Sequence, residues 1–288
     1  MKNTTLLLKY KKPFDFEQIL SFMRNRAIKG VEVINEDSYS RTFRTDNARG
    51  YFMVSNDLKT SSLQLKINCD NIKCYKFICH KVRQMFGLDT DFSLINKKFA
   101  QDKILSKGMQ GGQVPRLPIA FDSFEHMIRA VLGQQITVKA ATTLAGRMVD
   151  KVSKKTDFDF PDGLDYFFPN LLELLNIDLN GLGITKTRQT TIKNVLNGII
   201  DKAVSLRVDQ PFEKFYNDFS SFKGIGDWTV HYVAMRGMGT VDSFPSRDLG
   251  IIKALTRNGK VPSKKEILCL AEKWRPYRAY AALCLWRI

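Results

Sequence analysis

Two short segments carry the residue types from which a reactive site is built. In Phe222-Lys223-Gly224-Ile225-Gly226-Asp227-Trp228-Thr229, two glycines flank one apolar residue between helical stretches. Glycine lets a backbone approach a phosphate closely, and a helix starting near Asp227 offers free N–H groups at its positive end. Such a turn can grip one phosphate of a nucleic-acid backbone without reading its sequence. A plain helix–helix turn would use the same residues. About twenty residues on, Phe244-Pro245-Ser246-Arg247-Asp248-Leu249-Gly250-Ile251 sets a carboxylate at the head of an apolar helical run. Taken alone, Asp248 reads as an N-cap, accepting from first-turn N–H groups.

The charge balance narrows the partner. Lys and Arg number 45 against 29 Asp and Glu, a formal net charge of +16. That surplus predicts a polyanionic partner, with nucleic acid ahead of an anionic membrane surface. It is spread along the chain, which favours a folded basic surface over a disordered arm. At 288 residues, 44% of them hydrophobic, the chain has the length for about two domains and the composition of a folding sequence. No apolar run reaches the ~20 residues of a membrane span. The three leucines near Met1 are too few for a signal peptide, so a soluble, cytoplasmic protein is expected. Five cysteines at irregular spacing (Cys69, Cys74, Cys79, Cys269, Cys284) do not form a disulfide framework. Cys74-x4-Cys79-His80 departs from zinc spacing and reads as ordinary thiols. Gly108-Met109-Gln110-Gly111-Gly112 lacks the Lys-Ser/Thr of a phosphate loop and reads as linker.

The elements that must position these segments divide the chain. Residues 1–98 read as mixed α/β, with a helix over Phe14–Met23 capped by Asp15. Strands follow near Val31–Ile34, Ser40–Arg44, Tyr51–Val54 and Leu63–Ile67, and a second helix near Lys73–Phe86. From about residue 89 the strand signal disappears. Helices are expected over Phe121–Leu132, Val138–Val152, Leu171–Leu175, Lys186–Ile200, Phe212–Phe222, Thr229–Met235, Leu249–Leu255, Lys264–Lys273 and Tyr277–Leu285. The fold class is α+β, a small sheet domain followed by an all-helical one.

The hairpin Gly-Ile-Gly-x-Trp-Thr, followed at this distance by Pro-x-x-Asp-Leu-Gly, resembles the helix-hairpin-helix DNA glycosylase superfamily. Ala130-Val131-Leu132-Gly133-Gln134-Gln135-Ile136-Thr137-Val138 is similar to its helix–loop–helix, whose loop plugs the gap left by an extruded nucleotide. Glu272-Lys273-Trp274-Arg275-Pro276-Tyr277-Arg278-Ala279-Tyr280-Ala281 with Trp286, and Pro13 to Phe22, resemble the AlkA-type 3-methyladenine DNA glycosylase II branch. The resemblance covers nearly the whole chain. It implies a TATA-binding-protein-like antiparallel sheet over 1–98 and an all-α glycosylase domain over 99–288. The latter comprises a central subdomain (123–239, hairpin about 220–230) and a second one (99–122 plus 240–288).

The resemblance also implies roles. Asp248 becomes the catalytic carboxylate, stabilising positive charge on the deoxyribose as the base departs. Trp228, Tyr232, Trp286 and Phe22 become a base pocket whose electron-rich faces attract a base made cationic by alkylation. Trp228 stands where some superfamily members carry a nucleophilic lysine, which implies a monofunctional hydrolase that leaves an abasic site. Gln134, Gln135, Gly224, Gly226, Thr229 and Arg247 become DNA contacts, with Lys253 beside them. Gln135 takes the wedge position, apolar in the branch; a glutamine can hydrogen-bond the orphaned partner base but unstacks less strongly. The carbonyls of Ser220, Phe222 and Ile225 would hold a structural cation at the hairpin. No other cofactor is implied, and the four-cysteine loop of an iron–sulfur cluster is absent. Asp227 would lie on the hairpin's outer side, and Asp242 receives no role. The implied partner is duplex DNA containing damaged bases, met by a monomer in base excision repair, nucleoid-associated through DNA and without membrane contact. Other damaged bases (8-oxoguanine or hypoxanthine), or damaged-DNA binding without catalysis, stay open as alternatives.

Overall fold

The computed structural model describes all 288 residues. Strand β1 spans Lys2–Lys9, helix α1 Phe16–Arg24, β2 Glu32–Ile34, β3 Ser38–Arg44, β4 Arg49–Asp57, β5 Ser62–Cys69 and α2 Tyr75–Phe86. The five strands form one antiparallel sheet in the order β1-β5-β4-β3-β2. Alternation decides its inner face: Phe52 and Val54 of β4 lie opposite Ile67 and Leu65 of β5, all buried against Ile19 and Leu20 of α1 and Val82 and Phe86 of α2. Asp15 caps α1 through a bond from the Gln18 N–H at 2.9 Å. Strand β1 was not expected. Its Leu6-Leu7-Leu8 run hides the two-residue period, with Leu8 buried and Leu7 half exposed.

The helical part comprises α3 (Phe92–Ala100), α4 (Ser123–Leu132), α5 (Val138–Val152), α6 (Leu171–Leu175), α7 (Lys186–Ile200), α8 (Phe212–Ser220), α9 (Asp227–Gly237), α10 (Leu249–Leu255), α11 (Lys264–Ala271) and α12 (Arg278–Leu285). No helix is long and apolar enough to cross a membrane. Helix α3 was also not expected. Asp91 caps it, and it buries Phe92, Ile95 and Phe99 at helical spacing. These three side chains join Ile251, Trp274 and Tyr280 in the core under α10–α12. A division after residue 98 therefore falls inside α3. Phe121, expected to open a helix, instead packs in the sheet's core, and Asp122 caps α4 one residue later. The glycine-rich stretch is partly packed as well: a Cβ on Gly108 would meet the Cys284 carbonyl at 1.9 Å.

A second core joins α4 to α9 through Ile128, Val131, Met148, Val195, Phe215 and Val233. Charged groups pin the sheet to this bundle. Arg41 on β3 reaches Glu125 on α4 at 2.5 Å, and Arg129 pairs with both Glu125 (2.9 Å) and Glu32 on β2 (3.1 Å). These groups are largely buried, so loss of one partner would strand the other's charge.

Candidate active site

Asp248 sits where α9, α10 and the C-terminus converge. Its Oδ1 accepts the N–H groups of Gly250 (2.8 Å) and Ile251 (3.1 Å), capping α10, and the Trp286 indole N–H at 2.7 Å. Its Oδ2 accepts the Trp228 indole N–H, also at 2.7 Å. Capping and a carboxylate aimed at a cavity are thus met by one side chain. Oδ2 receives a single bond and keeps acceptor capacity toward the cavity. Gly250 is required here, since a Cβ would lie 2.9 Å from the Trp286 ring.

The loop that carries Asp248 is anchored from two sides. The Phe244 N–H donates to Nδ1 of His231 on α9 (3.2 Å), and the Ser243 hydroxyl donates to the His231 carbonyl (2.9 Å). An Nδ1 that accepts leaves the proton of a neutral ring on Nε2. Burial lowers the His231 imidazole to about 4, so it is neutral at pH 7. Asp242, left without a role above, binds Arg278 at 2.9 Å and also pairs with Arg275. Asp227 accepts from the Tyr216 hydroxyl (2.9 Å) and Lys264 (3.2 Å) in a separate recess. Burial would raise its carboxyl, but these two bonds more than offset that and hold it low.

Trp228, Tyr232, Trp286 and Phe22 line one cavity of about 320 Å³ together with Asp248. The Trp228 and Tyr232 rings stack, centroids 4.8 Å apart and 12° from parallel. The Phe22 ring is occupied in the free protein: the guanidinium carbons of Arg26 and Arg236 lie over it at 3.8 and 4.2 Å. Arg26, His126 and Arg236 line the same cavity and were missed. The signal for Arg236 was present, because Trp228, Tyr232 and Arg236 recur every fourth residue on one face of α9. Burial pulls the Arg236 guanidinium down to about 10, still protonated at neutral pH. His126 is pushed to about 3 by burial and by the Arg129 and Arg236 charges, and its Nε2 has no partner.

The expected DNA contacts separate into two kinds. Gln134 donates through Nε2 to the Gly224 carbonyl (2.9 Å) and the Thr229 hydroxyl (3.0 Å), while Arg188 donates to the Gln134 carbonyl. Thr229 is buried. Gln134 and Thr229 therefore tie the α4–α5 loop to the hairpin. Gln135, Gly226 and Arg247 are exposed, as is Lys253. Gln135 holds a left-handed φ of 56°, which marks the tip of its loop. The two hairpin glycines differ in kind. A Cβ on Gly224 (φ 92°) would stand 2.1 Å from the Thr191 hydroxyl, whereas one on Gly226 would meet nothing. Gly226 caps α9 without a side chain, so no side chain covers the first-turn N–H groups. The Phe222 carbonyl accepts the Ile225 N–H at 3.0 Å. Cys74 lies with its sulfur 3.4 Å from that of Cys69, and nowhere do three His, Cys, Asp or Glu side chains cluster as metal ligands.

Residues 5–122 match the family described as the AlkA N-terminal domain. Over 282 residues, 98% of its length, the chain is 29% identical to a probable bifunctional transcriptional activator/DNA repair enzyme AlkA of Mycobacterium tuberculosis. It spans 56% of that relative. It is 26% identical to DNA-3-methyladenine glycosylase 2 of Escherichia coli, covering 97% of this chain and 95% of that one. The fold is similar to that of the 3-methyladenine DNA-glycosylase from Archaeoglobus fulgidus, with a TM-score of 0.79, 20% identity and coverage of 98% and 97%.

Proposed function

We infer, for a chain that belongs to the AlkA-type branch of the helix-hairpin-helix DNA glycosylases, that it excises alkylated purines from duplex DNA, 3-methyladenine and related N3- and N7-alkylated bases among them. The observation that carries this reading is the Asp248 carboxylate, held by two indole N–H groups at the wall of an aromatic cavity.

The exposed hairpin would receive one phosphate on the uncapped N–H groups of α9, with Gly226 leaving room for it. Gln135 would fill the gap as the damaged nucleotide swings out. Its base would then stack among Trp228 and Trp286 while the deoxyribose approaches Oδ2 of Asp248. As the C1′–N bond breaks, its electron pair leaves with the base and positive charge develops on the sugar. The carboxylate opposes that charge. Water then adds to C1′, its hydroxyl completing the abasic sugar and its proton released. With an indole at position 228, no amine stands ready to form a Schiff base, so the strand stays uncut. The Ser220, Phe222 and Ile225 carbonyls would hold a hairpin cation facing the phosphate; the Phe222 oxygen, with one bond, keeps a lone pair for it. We place the enzyme on cellular DNA as a monomer that needs no other cofactor.

The test is single-turnover incubation with methylated duplex DNA, free bases resolved by chromatography and strands examined with and without alkali. Release of 3-methyladenine, with breakage only after alkali, is expected. Base release confined to duplexes carrying 8-oxoguanine or hypoxanthine would move the substrate assignment, and binding without release would remove the catalytic one.

A further inference from the structure

We propose that Val138 and Leu249 form an apolar rim at the cavity, and that on an opened duplex step they supply the apolar contact that Gln135 lacks. The proposal rests on the reading of this cavity as the base pocket and assigns to two residues the unstacking that a polar wedge supplies poorly.

Two exposed side chains carry it. Val138 lines the cavity and is still 43% exposed, three residues beyond Gln135 at the tip of the α4–α5 loop. Leu249 is 81% exposed, and no large apolar side chain of the chain is more so. It directly follows Asp248, which lines the same cavity. Each of the two is the first residue of its helix, behind a side-chain cap. Thr137 accepts the Ala140 N–H at 3.2 Å, and Asp248 accepts those of Gly250 and Ile251. The core takes Ile251 and Leu255 from α10 and leaves Leu249 to solvent. Consecutive Cα atoms lie about 3.8 Å apart, close to the ~3.4 Å rise of one DNA strand. A sugar that reaches Asp248 therefore brings its neighbours in the strand within reach of Leu249. Lys139, Arg247 and Lys253 are exposed beside the pair, so the two apolar groups are set among cations. An opened duplex matches both features, with phosphates for the cations and flat base faces for the aliphatic groups. Covering the two side chains there removes apolar surface from water that the free protein leaves wet.

The test compares affinities, by fluorescence anisotropy, for two duplexes of one sequence. One is fully paired; in the other a tetrahydrofuran nucleotide without a base opens the gap. Wild type is expected to prefer the abasic duplex. Val138→Thr keeps the branched shape and adds a hydroxyl, and Leu249→Asn replaces the aliphatic end by an amide. Leu58→Asn is the control, because Leu58 is 76% exposed on the β4–β5 turn and does not line the cavity. Each rim variant should bind the abasic duplex about 5- to 20-fold more weakly than wild type does, and the paired duplex within about twofold of it. The control should match wild type on both. All three positions are exposed, so melting temperatures should hold and keep the comparison free of folding effects. An unchanged preference in either rim variant, an equal loss on both duplexes, the same loss in Leu58→Asn, or no preference in wild type overturns the proposal. Base release from methylated DNA by wild type is scored separately. Its absence, with the abasic preference present and lost in the variants, would remove the glycosylase reading and leave the rim standing.

Discussion

The Trp228 indole nitrogen lies 2.7 Å from Oδ2 of Asp248, so the hairpin helix that begins beside Gly226 also orients the carboxylate twenty residues further on. The proposed grip on the DNA backbone and the proposed reacting group would therefore share one helix, and each can be perturbed by a separate substitution.

Replacing Asp248 by Asn keeps the cap of α10, since asparagine caps as well as aspartate. It removes the negative charge proposed to oppose the forming sugar cation. Base release in single turnover should fall by about 10²-fold or more, with affinity for duplex DNA unchanged within a few-fold. A variant that turns over like wild type would remove Asp248 from the chemistry.

Trp228→Phe preserves a ring to stack on Tyr232 and deletes only the N–H to Oδ2. Loss of one bond to a charged acceptor is worth roughly 1.5–3 kcal/mol. Release should slow about 10- to 100-fold with little change in melting temperature. A large drop in melting temperature would instead assign the tryptophan to packing.

The two hairpin glycines should answer differently to alanine. Gly224→Ala forces a Cβ into Thr191 at a left-handed φ, and thermal unfolding should show a loss of about 1–3 kcal/mol. Gly226→Ala meets no neighbour in the free protein. It should leave stability within about 0.5 kcal/mol and weaken DNA binding, measured by anisotropy. Undiminished binding by Gly226→Ala would place the phosphate elsewhere.

A chain of net charge +16 that neutralises phosphates releases condensed counterions. The logarithm of its DNA association constant should fall steeply and linearly with the logarithm of salt concentration, by about 0.9 per phosphate contacted. A flat titration would contradict the basic binding surface.

Stability should also depend on pH through two buried imidazoles. Unfolded, His126 and His231 titrate near 6.5; folded, burial holds them to about 3 and about 4. The unfolded state thus binds more protons in between, so stability is complete above pH 6.5 and declines as pH falls toward 4 and then 3. Each contributes on the order of 3 kcal/mol at neutral pH. Urea midpoints at pH 7 and pH 5 should differ clearly for wild type and less for His126→Phe. Equal midpoints for wild type would mean that the rings are protonated in the folded state.

Much of this architecture was legible because it depends on local periodicity. The alternation in Leu63–Ile67 and the four-residue recurrence along α4 and α5 describe their own buried faces. Strand β1 escaped because three consecutive leucines erase a two-residue period, whereas the signal for α3 was present in Asp91 and the helical spacing of Phe92, Ile95 and Phe99. Asp248, Trp228, Tyr232, Trp286 and Phe22 do meet around one cavity, as their resemblance to a known arrangement implied. Arg236 was missed for a physical reason: a charged residue on a helix is normally solvated, and only tertiary packing buries this one. That Gln134 and Thr229 pair with each other was not legible, because sequence does not reveal which polar groups are already paired.

That Gln134 bridge joins the α4–α5 loop to Gly224 and Thr229 in the hairpin, so a protein that uses both on DNA would act as a gauge of fixed length. The proposed phosphate site and the proposed wedge would then be held at one spacing. Discrimination would begin with how readily a duplex step yields to that spacing, before any base has entered the cavity.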